Sequence, residues 1–141
     1  MSQDFPEKLK QAVNKENYAR FLKLKPLEVK PGYARVELEV KQEHLNIHRI
    51  THGGVVFSVL DEAFELASNS HGTSAVALSV SINFLRPTQE GEKIIAEAKE
   101  IAITRRTGNY QFLVYNQNGE LIAQGQGLVY RKDQPLELKE T

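Results

Sequence analysis

The chain has 141 residues, 40% of them hydrophobic and 26% charged, which is length enough for one domain to bury a core without covalent staples. It has no cysteine, so disulfides, thiol nucleophiles and cysteine-ligated metals are excluded. Eighteen basic side chains cancel eighteen acidic ones, which excludes the global basic field that holds nucleic acid and leaves any anionic partner to a local cluster.

The opening Met1-Ser2-Gln3-Asp4-Phe5-Pro6 lacks the apolar core of a signal peptide. No run approaches the roughly 18 apolar residues of a membrane span, so a cytoplasmic protein without a membrane or nucleic-acid partner is expected. Asp4-Phe5-Pro6-Glu7 reads as a helix start, and Phe5, Leu9, Ala12 and Val13 give an apolar stripe at helical spacing. Residues 1–17 therefore predict an amphipathic lead-in helix of the same single domain, whose body spans 18–131. Leu22, Leu24, Leu27 and Val29 suggest an extended segment ending at the turn signal Pro31-Gly32. Val36, Leu38 and Val40 then alternate with Arg35, Glu37 and Glu39, a half-buried strand that pairs back as a hairpin.

A loop from Lys41 to Thr51 leads to the longest helix signal, residues 54–70. At about 100° per residue, Val55, Val56, Phe57, Val59, Leu60, Ala63, Phe64, Leu66 and Ala67 fill one arc and Gly54, Ser58, Asp61, Glu62, Glu65, Ser68 and Asn69 the other. So broad an apolar side predicts a helix wrapped by a sheet, with Gly72 just past its end and His71 on its last carbonyls. Asp61, Glu62 and Glu65 lie within one turn without a Lys or Arg among them, and Asp61 with Glu65 is an unfavourable i, i+4 pair.

Residues 75–84 alternate as a strand, with Val76, Leu78, Val80, Ile82 and Phe84 on one face. The small Ala75, Ala77, Ser79 and Ser81 on the other face predict close packing on the central helix. After the turn at Pro87–Gly91 come a strand from Glu92 to Thr104, a turn at Arg105-Arg106-Thr107-Gly108, a strand from Tyr110 to Tyr115, the hairpin dipeptide Asn118-Gly119 and a last strand from Leu121 to Tyr130. The polar segment 132–141 predicts a loose tail. An antiparallel sheet curled around one long helix, an α+β fold, satisfies this order.

His52-Gly53-Gly54 at the mouth of that helix places backbone N–H groups at the positive end of the dipole, where the oxygen of a carbonyl becoming negative is stabilised. Asp61 adds a carboxylate base on the polar side, where a solvated role is the alternative. His52 can shape the turn or transfer a proton, and Thr51 or His52 can cap the helix. Asn46 reads either as a turn residue or as part of the site.

Asn46-Ile47-His48-Arg49-Ile50-Thr51-His52-Gly53-Gly54, continued by Asp61 and by Asn83-Phe84-Leu85-Arg86-Pro87, resembles the hotdog-fold thioesterases, and among them the type associated with phenylacetic acid degradation (PaaI-like). The element order supports the resemblance from about Tyr18 to Tyr130. It implies a hydrolase of acyl- or aryl-acyl-CoA, phenylacetyl-CoA-like substrates included. In it Asp61 acts as general base or nucleophile, the amide of Gly53 or Gly54 polarises the thioester carbonyl, and Asn46 positions the reacting groups. One departure is Ala77, where some relatives carry a hydroxyl residue. Coenzyme A enters only as part of the substrate. A fork-shaped donor suits its phosphates, which makes Arg86, Arg105, Arg106 and Arg131 candidate contacts although arginines at strand ends are usually solvated.

Gly53 and Asp61 are eight residues apart, about 12 Å along one helix, while both groups must come within about 3 Å of one carbonyl. A two-fold dimer that sets one chain's helix mouth against the other's Asp61 answers this, and the family forms dimers or pairs of dimers, so a homotetramer is expected. His44, His48 and His52 are spaced for a helical metal site, but Ile47, Ile50 and the glycines indicate an irregular loop, so no metal is expected. An acyl-thioester hydratase would need His-plus-acid signatures that are absent. A non-catalytic acyl-CoA binding module would not require Asp61.

Overall fold

The computed structural model describes residues 4–138. In chain order its elements are α1 (Phe5–Ala12), α2 (Asn17–Leu22), β1 (Lys25–Lys30), β2 (Tyr33–Glu39), α3 (Gly53–Asn69), β3 (Thr73–Phe84), β4 (Lys93–Ile103), β5 (Thr107–Asn116) and β6 (Leu121–Pro135). The six strands form one antiparallel sheet in the order β1-β2-β4-β5-β6-β3. Alternation along β2, β4 and β5 turns Val36, Leu38, Ile94, Ala96, Phe112 and Val114 to one face, where they bury Val59, Leu60, Ala63, Phe64 and Ala67 of α3. This is the expected α+β hotdog arrangement. No helix among the described residues is long and apolar enough to cross a membrane.

Three details fix α3 in the sheet. The Phe64 ring meets Phe112 edge-on at 4.8 Å and Tyr110 at 5.6 Å. Gly127 in β6 leaves the notch for these rings, since a Cβ there would stand 2.7 Å from the Phe112 ring and 2.8 Å from that of Phe64. At the far end, Asn69 accepts from the Ala75 N–H and donates to the Ala75 carbonyl, tying the end of α3 to β3.

The structure departs from the sequence expectations in four places. A second helix, α2, occupies 17–22 and buries Ala19 and Leu22; it stops at Lys23, whose φ of 61° lets Leu24 bond back to Ala19. Two buried residues three apart are too few to display a period. β3 does not pack its small face on α3: a bulge between Ala77 and Ser79 switches the alternation, so Ala75 points inward before it and Val80 and Ile82 after it, leaving Ser79 and Ser81 exposed. The expected loose tail is instead the last stretch of β6, paired with β3 as far as Pro135, after which the Leu136 N–H bonds to Gly72 and Leu136 and Leu138 pack on the core; residues 139–141 lie outside the described residues, as do residues 1–3. His71 bonds not to helix carbonyls but to the Glu100 carboxyl at 2.6 Å, while Gly72, with φ of 89°, returns its N–H to Asn69.

Gly127→Ala forces a methyl into the Phe64–Phe112 contact and is expected to destabilise the protein by about 1–3 kcal/mol in urea unfolding, with a retained slope.

Candidate active site

The start of α3 is set by its cap. His52 is extended (φ −60°, ψ 137°), and its Nδ1 accepts from the Gly54 N–H at 2.8 Å. With Nδ1 as acceptor, the proton of a neutral imidazole sits on Nε2, which therefore faces outward as a donor. Of the two glycine amides expected to be bare, Gly54 is thus taken. The Gly53 N–H donates to nothing among the described residues, and Gly53 borders a cavity of about 370 Å³.

That cavity is lined by Asn46, Ile50, Thr51, Val56, Phe84, Leu85, Arg86, Pro87, Thr88 and Ile122 besides Gly53. The loop ahead of α3 owes its shape to Asn46: its Oδ1 accepts from the N–H groups of His48 (2.9 Å) and Ile50 (3.3 Å), and its backbone pairs with Ile50 and Arg49. The Asn46 oxygen is therefore committed to the loop, and its Nδ2 is the group left to donate into the cavity. Thr51 binds the loop to the segment after β3 through Thr88, at 3.1 Å to its carbonyl and 2.7 Å to its hydroxyl. The Phe84 ring stands over the helix mouth, 3.4 Å from where a Cβ of Gly53 would be.

Asp61 lies on the same helix but does not line this cavity. Its face of α3 is far less solvated than the wheel implied: Ser58 and Glu62 are 8% and 5% exposed, because α2 and the residue before it cover them. Tyr18 of α2 bonds Ser58 at 2.8 Å, and Ser58 bonds the Gly54 carbonyl at 2.8 Å, so α2 is linked through Asp61's own face to the helix mouth. Asp61 is half-buried, and loss of water, followed by the charge of Glu16, holds its carboxyl above the usual range. Such a carboxylate is a stronger base than a solvated one. The carboxyl oxygens of Glu16, Glu62 and Glu65 gather beside it, within 4.8 Å of one another.

The other sequence candidates scatter. Arg86 lines the cavity and pairs with Glu120 at 3.4 Å. Arg105, Arg106 and Arg131 sit at the opposite end of the sheet, engaged with Asp133, Tyr130 and the Thr104 carbonyl respectively. Within one chain only Arg86 is brought to the helix mouth. Among the described residues His44, His48 and His52 do not converge: the Nδ1 of His44 accepts from the Lys41 N–H, that of His52 from Gly54, and His48 is exposed. Sequence reasoning placed Ser58 on the arc of Asp61 but missed Glu16 and Tyr18 as neighbours of that face. The crowding of Asp61, Glu62 and Glu65 was its one visible signal, since the contacts from residues 16 and 18 span some forty positions.

Residues 48–123 match the model of the thioesterase superfamily, more than half of the chain. An Archaeoglobus fulgidus putative esterase is 51% identical over 105 residues, 74% of this chain and 68% of that protein. The Escherichia coli K12 acyl-coenzyme A thioesterase PaaI is 35% identical over 113 residues, 80% of this chain and 81% of that one. The solved structure of E. coli PaaI superposes with a TM-score of 0.91 at 30% identity, covering 96% and 99% of the two chains. A Streptococcus mutans UA159 structure with bound acetyl CoA gives 0.77 at 26% identity, over 80% and 91%. The matched span contains the helix mouth, its histidine cap, Asp61 and the Phe84–Pro87 segment, and with the sheet wrapped on α3 it shows that this chain belongs to the thioesterase superfamily, as a thioester hydrolase of hotdog fold and PaaI-like type.

Proposed function

We propose that the protein hydrolyses an acyl-coenzyme A thioester at a site shared between two copies of the chain. The observation that carries this is the unpartnered Gly53 N–H at the positive end of α3, opening on a cavity that Asp61 does not reach. The thioester carbonyl accepts from Gly53, with Asn46 Nδ2 beside it, and Phe84, Val56 and Ile122 supply an apolar wall. Asp61 of the partner subunit takes a proton from water as its oxygen attacks the carbonyl carbon; the tetrahedral intermediate expels the thiolate of coenzyme A, which receives that proton. Direct attack by the carboxylate is the variant of the same scheme. Both roles are filled by protein groups, so the step as written needs no metal.

The spacing on α3 and the edge of the sheet support the sharing. Eight residues of helix separate donor from acid by about 12 Å. β3 is an outer strand twelve residues long whose free edge carries Val76, Leu78 and Phe84, 42%, 59% and 56% exposed. An edge so long and apolar is a template for pairing, and a two-fold axis across it sets the two α3 helices side by side. Pairs of such dimers give the tetramer we expect. Similarity to the PaaI protein of the phenylacetic acid degradation operon favours an aryl-acyl group of the phenylacetyl kind, and the position of Arg86 on the cavity wall supports it as a phosphate contact.

Gly53→Pro separates donor from fold. Proline suits the first helical position, His52 already has the extended ψ that precedes proline, and no group among the described residues uses the N–H that is lost. The variant is expected to keep its thermal midpoint and to lose about 10²–10³ in kcat, read as free-thiol release from acetyl- and phenylacetyl-CoA. By contrast His52→Ala removes the cap and is expected to lower stability by about 1 kcal/mol in urea unfolding.

Asp61→Asn is expected to fold and to be nearly inactive. Co-assembled with Gly53→Pro subunits, it is expected to regain activity in one of the two sites of each mixed dimer. Silence from verified mixed dimers means that donor and acid act within one chain; a fully active Asp61→Asn protein removes the acid from the chemistry and leaves a different base to be found.

A further inference from the structure

Among the described residues, outside the helix mouth, Glu16, just ahead of α2, gathers with Glu62 and Glu65 of α3 into one group of titratable side chains. Glu62 is 5% exposed, and its Oε2 has no hydrogen-bond partner among the described residues. Glu65 is exposed as a residue, but its carboxyl end is turned into the group. None of the three, nor Asp61, makes an ion pair with a Lys, Arg or His among the described residues. The groups facing one another here are thus four acids: Glu16 from the segment before α2, and Asp61, Glu62 and Glu65 from α3.

Three carboxyl groups with oxygens within 4.8 Å of one another, one of them buried, cannot all carry charge without a compensating cation. We propose that Glu16, Glu62 and Glu65 form a proton-holding site that sets the pH at which Asp61 becomes available as a base. This rests on the assignment of Asp61 as the acid–base group above. The buried Glu62 carries the proton and shares it with Glu16 and Glu65. Both α3 glutamates are pushed up, first by loss of water and then by Glu16. Asp61, one residue from Glu62 and one turn from Glu65, feels the charge left on Glu16. When the site takes up a second proton this field falls and Asp61 ionises more easily; when it releases one, Asp61 holds its own proton more tightly. The chemistry of the thioester is unchanged, and the site governs only how much Asp61 is ionised at a given pH.

The experiment compares pH profiles of kcat/KM on acetyl-CoA for the wild type, Glu16→Gln and Glu65→Gln, with thermal midpoints against pH for the wild type and Glu62→Gln. The wild-type acid limb is expected above the ordinary carboxylate range. Glu16→Gln moves it down by about half a pH unit to one unit, so that on the limb the variant is about three- to tenfold faster than the wild type. Glu62 has a raised folded pKa, so its stabilising contribution is complete below the unfolded value of about 4.3 and is lost as pH rises through the raised value. The wild-type midpoint therefore falls from mildly acidic to alkaline pH, and Glu62→Gln, which cannot ionise, flattens that fall. Glu65→Gln, on the exposed side, provides the limb shift if Glu16→Gln folds poorly. Acid limbs that coincide in all folded variants, while Asp61→Asn is inactive, overturn the proposal. So does a midpoint raised by millimolar calcium or magnesium in the wild type and not in Glu62→Gln, which makes the group a metal site. An active Asp61→Asn protein overturns the reading of Asp61 instead, and the midpoint slopes still report on the proton.

Discussion

The rise of an α-helix is the constraint on which this molecule turns. A single helix, α3, is at once the core around which the sheet closes and the carrier of both chemical groups, an amide at its first residue and a carboxylate two turns later. A rise of about 1.5 Å per residue keeps them too far apart to meet on one carbonyl. Burial leaves no freedom to bend: Val59, Leu60, Phe64 and Ala67 are held by β2, β4 and β5, so the separation is as rigid as the core itself. Under the proposed function the mouth and the flank are complementary halves, and the exposed outer strand β3 is the edge that leaves room for a second copy.

Selection between the two glycine amides shows how little is needed to specify a donor. The imidazole of His52 consumes one N–H, and what remains is a single backbone donor that no side chain among the described residues satisfies. Asn46 acts likewise, its carbonyl oxygen closing the loop while its amide is left over. In both residues the structural reading offered by the sequence is visible as hydrogen bonds, the cap of α3 for His52 and the turn ahead of it for Asn46.

What was legible in the sequence was whatever is local and periodic. The wheel of α3, the alternation of β2, and the Pro31-Gly32 and Asn118-Gly119 turns all appear where one residue's neighbours in space are its neighbours in the chain. The bulge at Ala77/Ser79 reversed an alternation that looked unbroken, because nothing in the residue types marks it. The tail was misread because strand pairing overrides a polar composition when a partner strand is already laid down. At the site, the residues of the helix mouth could be named in advance, but the environment of Asp61 could not: Glu16 and Tyr18 reach it across a distance in sequence that no periodicity encodes.

The two outer strands of the sheet are unlike. β1 is six residues long, begins with Lys25 and Pro26, and lays the ion pairs of Glu28 with Lys30 and Arg35 along its length. β3 is twice as long and apolar at its rim. The first is poor material for a further strand and the second is good. A sheet built in this way has a valence of one: it can gain a neighbour on a single side, and once that neighbour is an identical sheet turned about a two-fold axis, both receptive rims are used up. Growth by strand addition then stops at two, and the asymmetry of the rims is the protection against an endless ribbon.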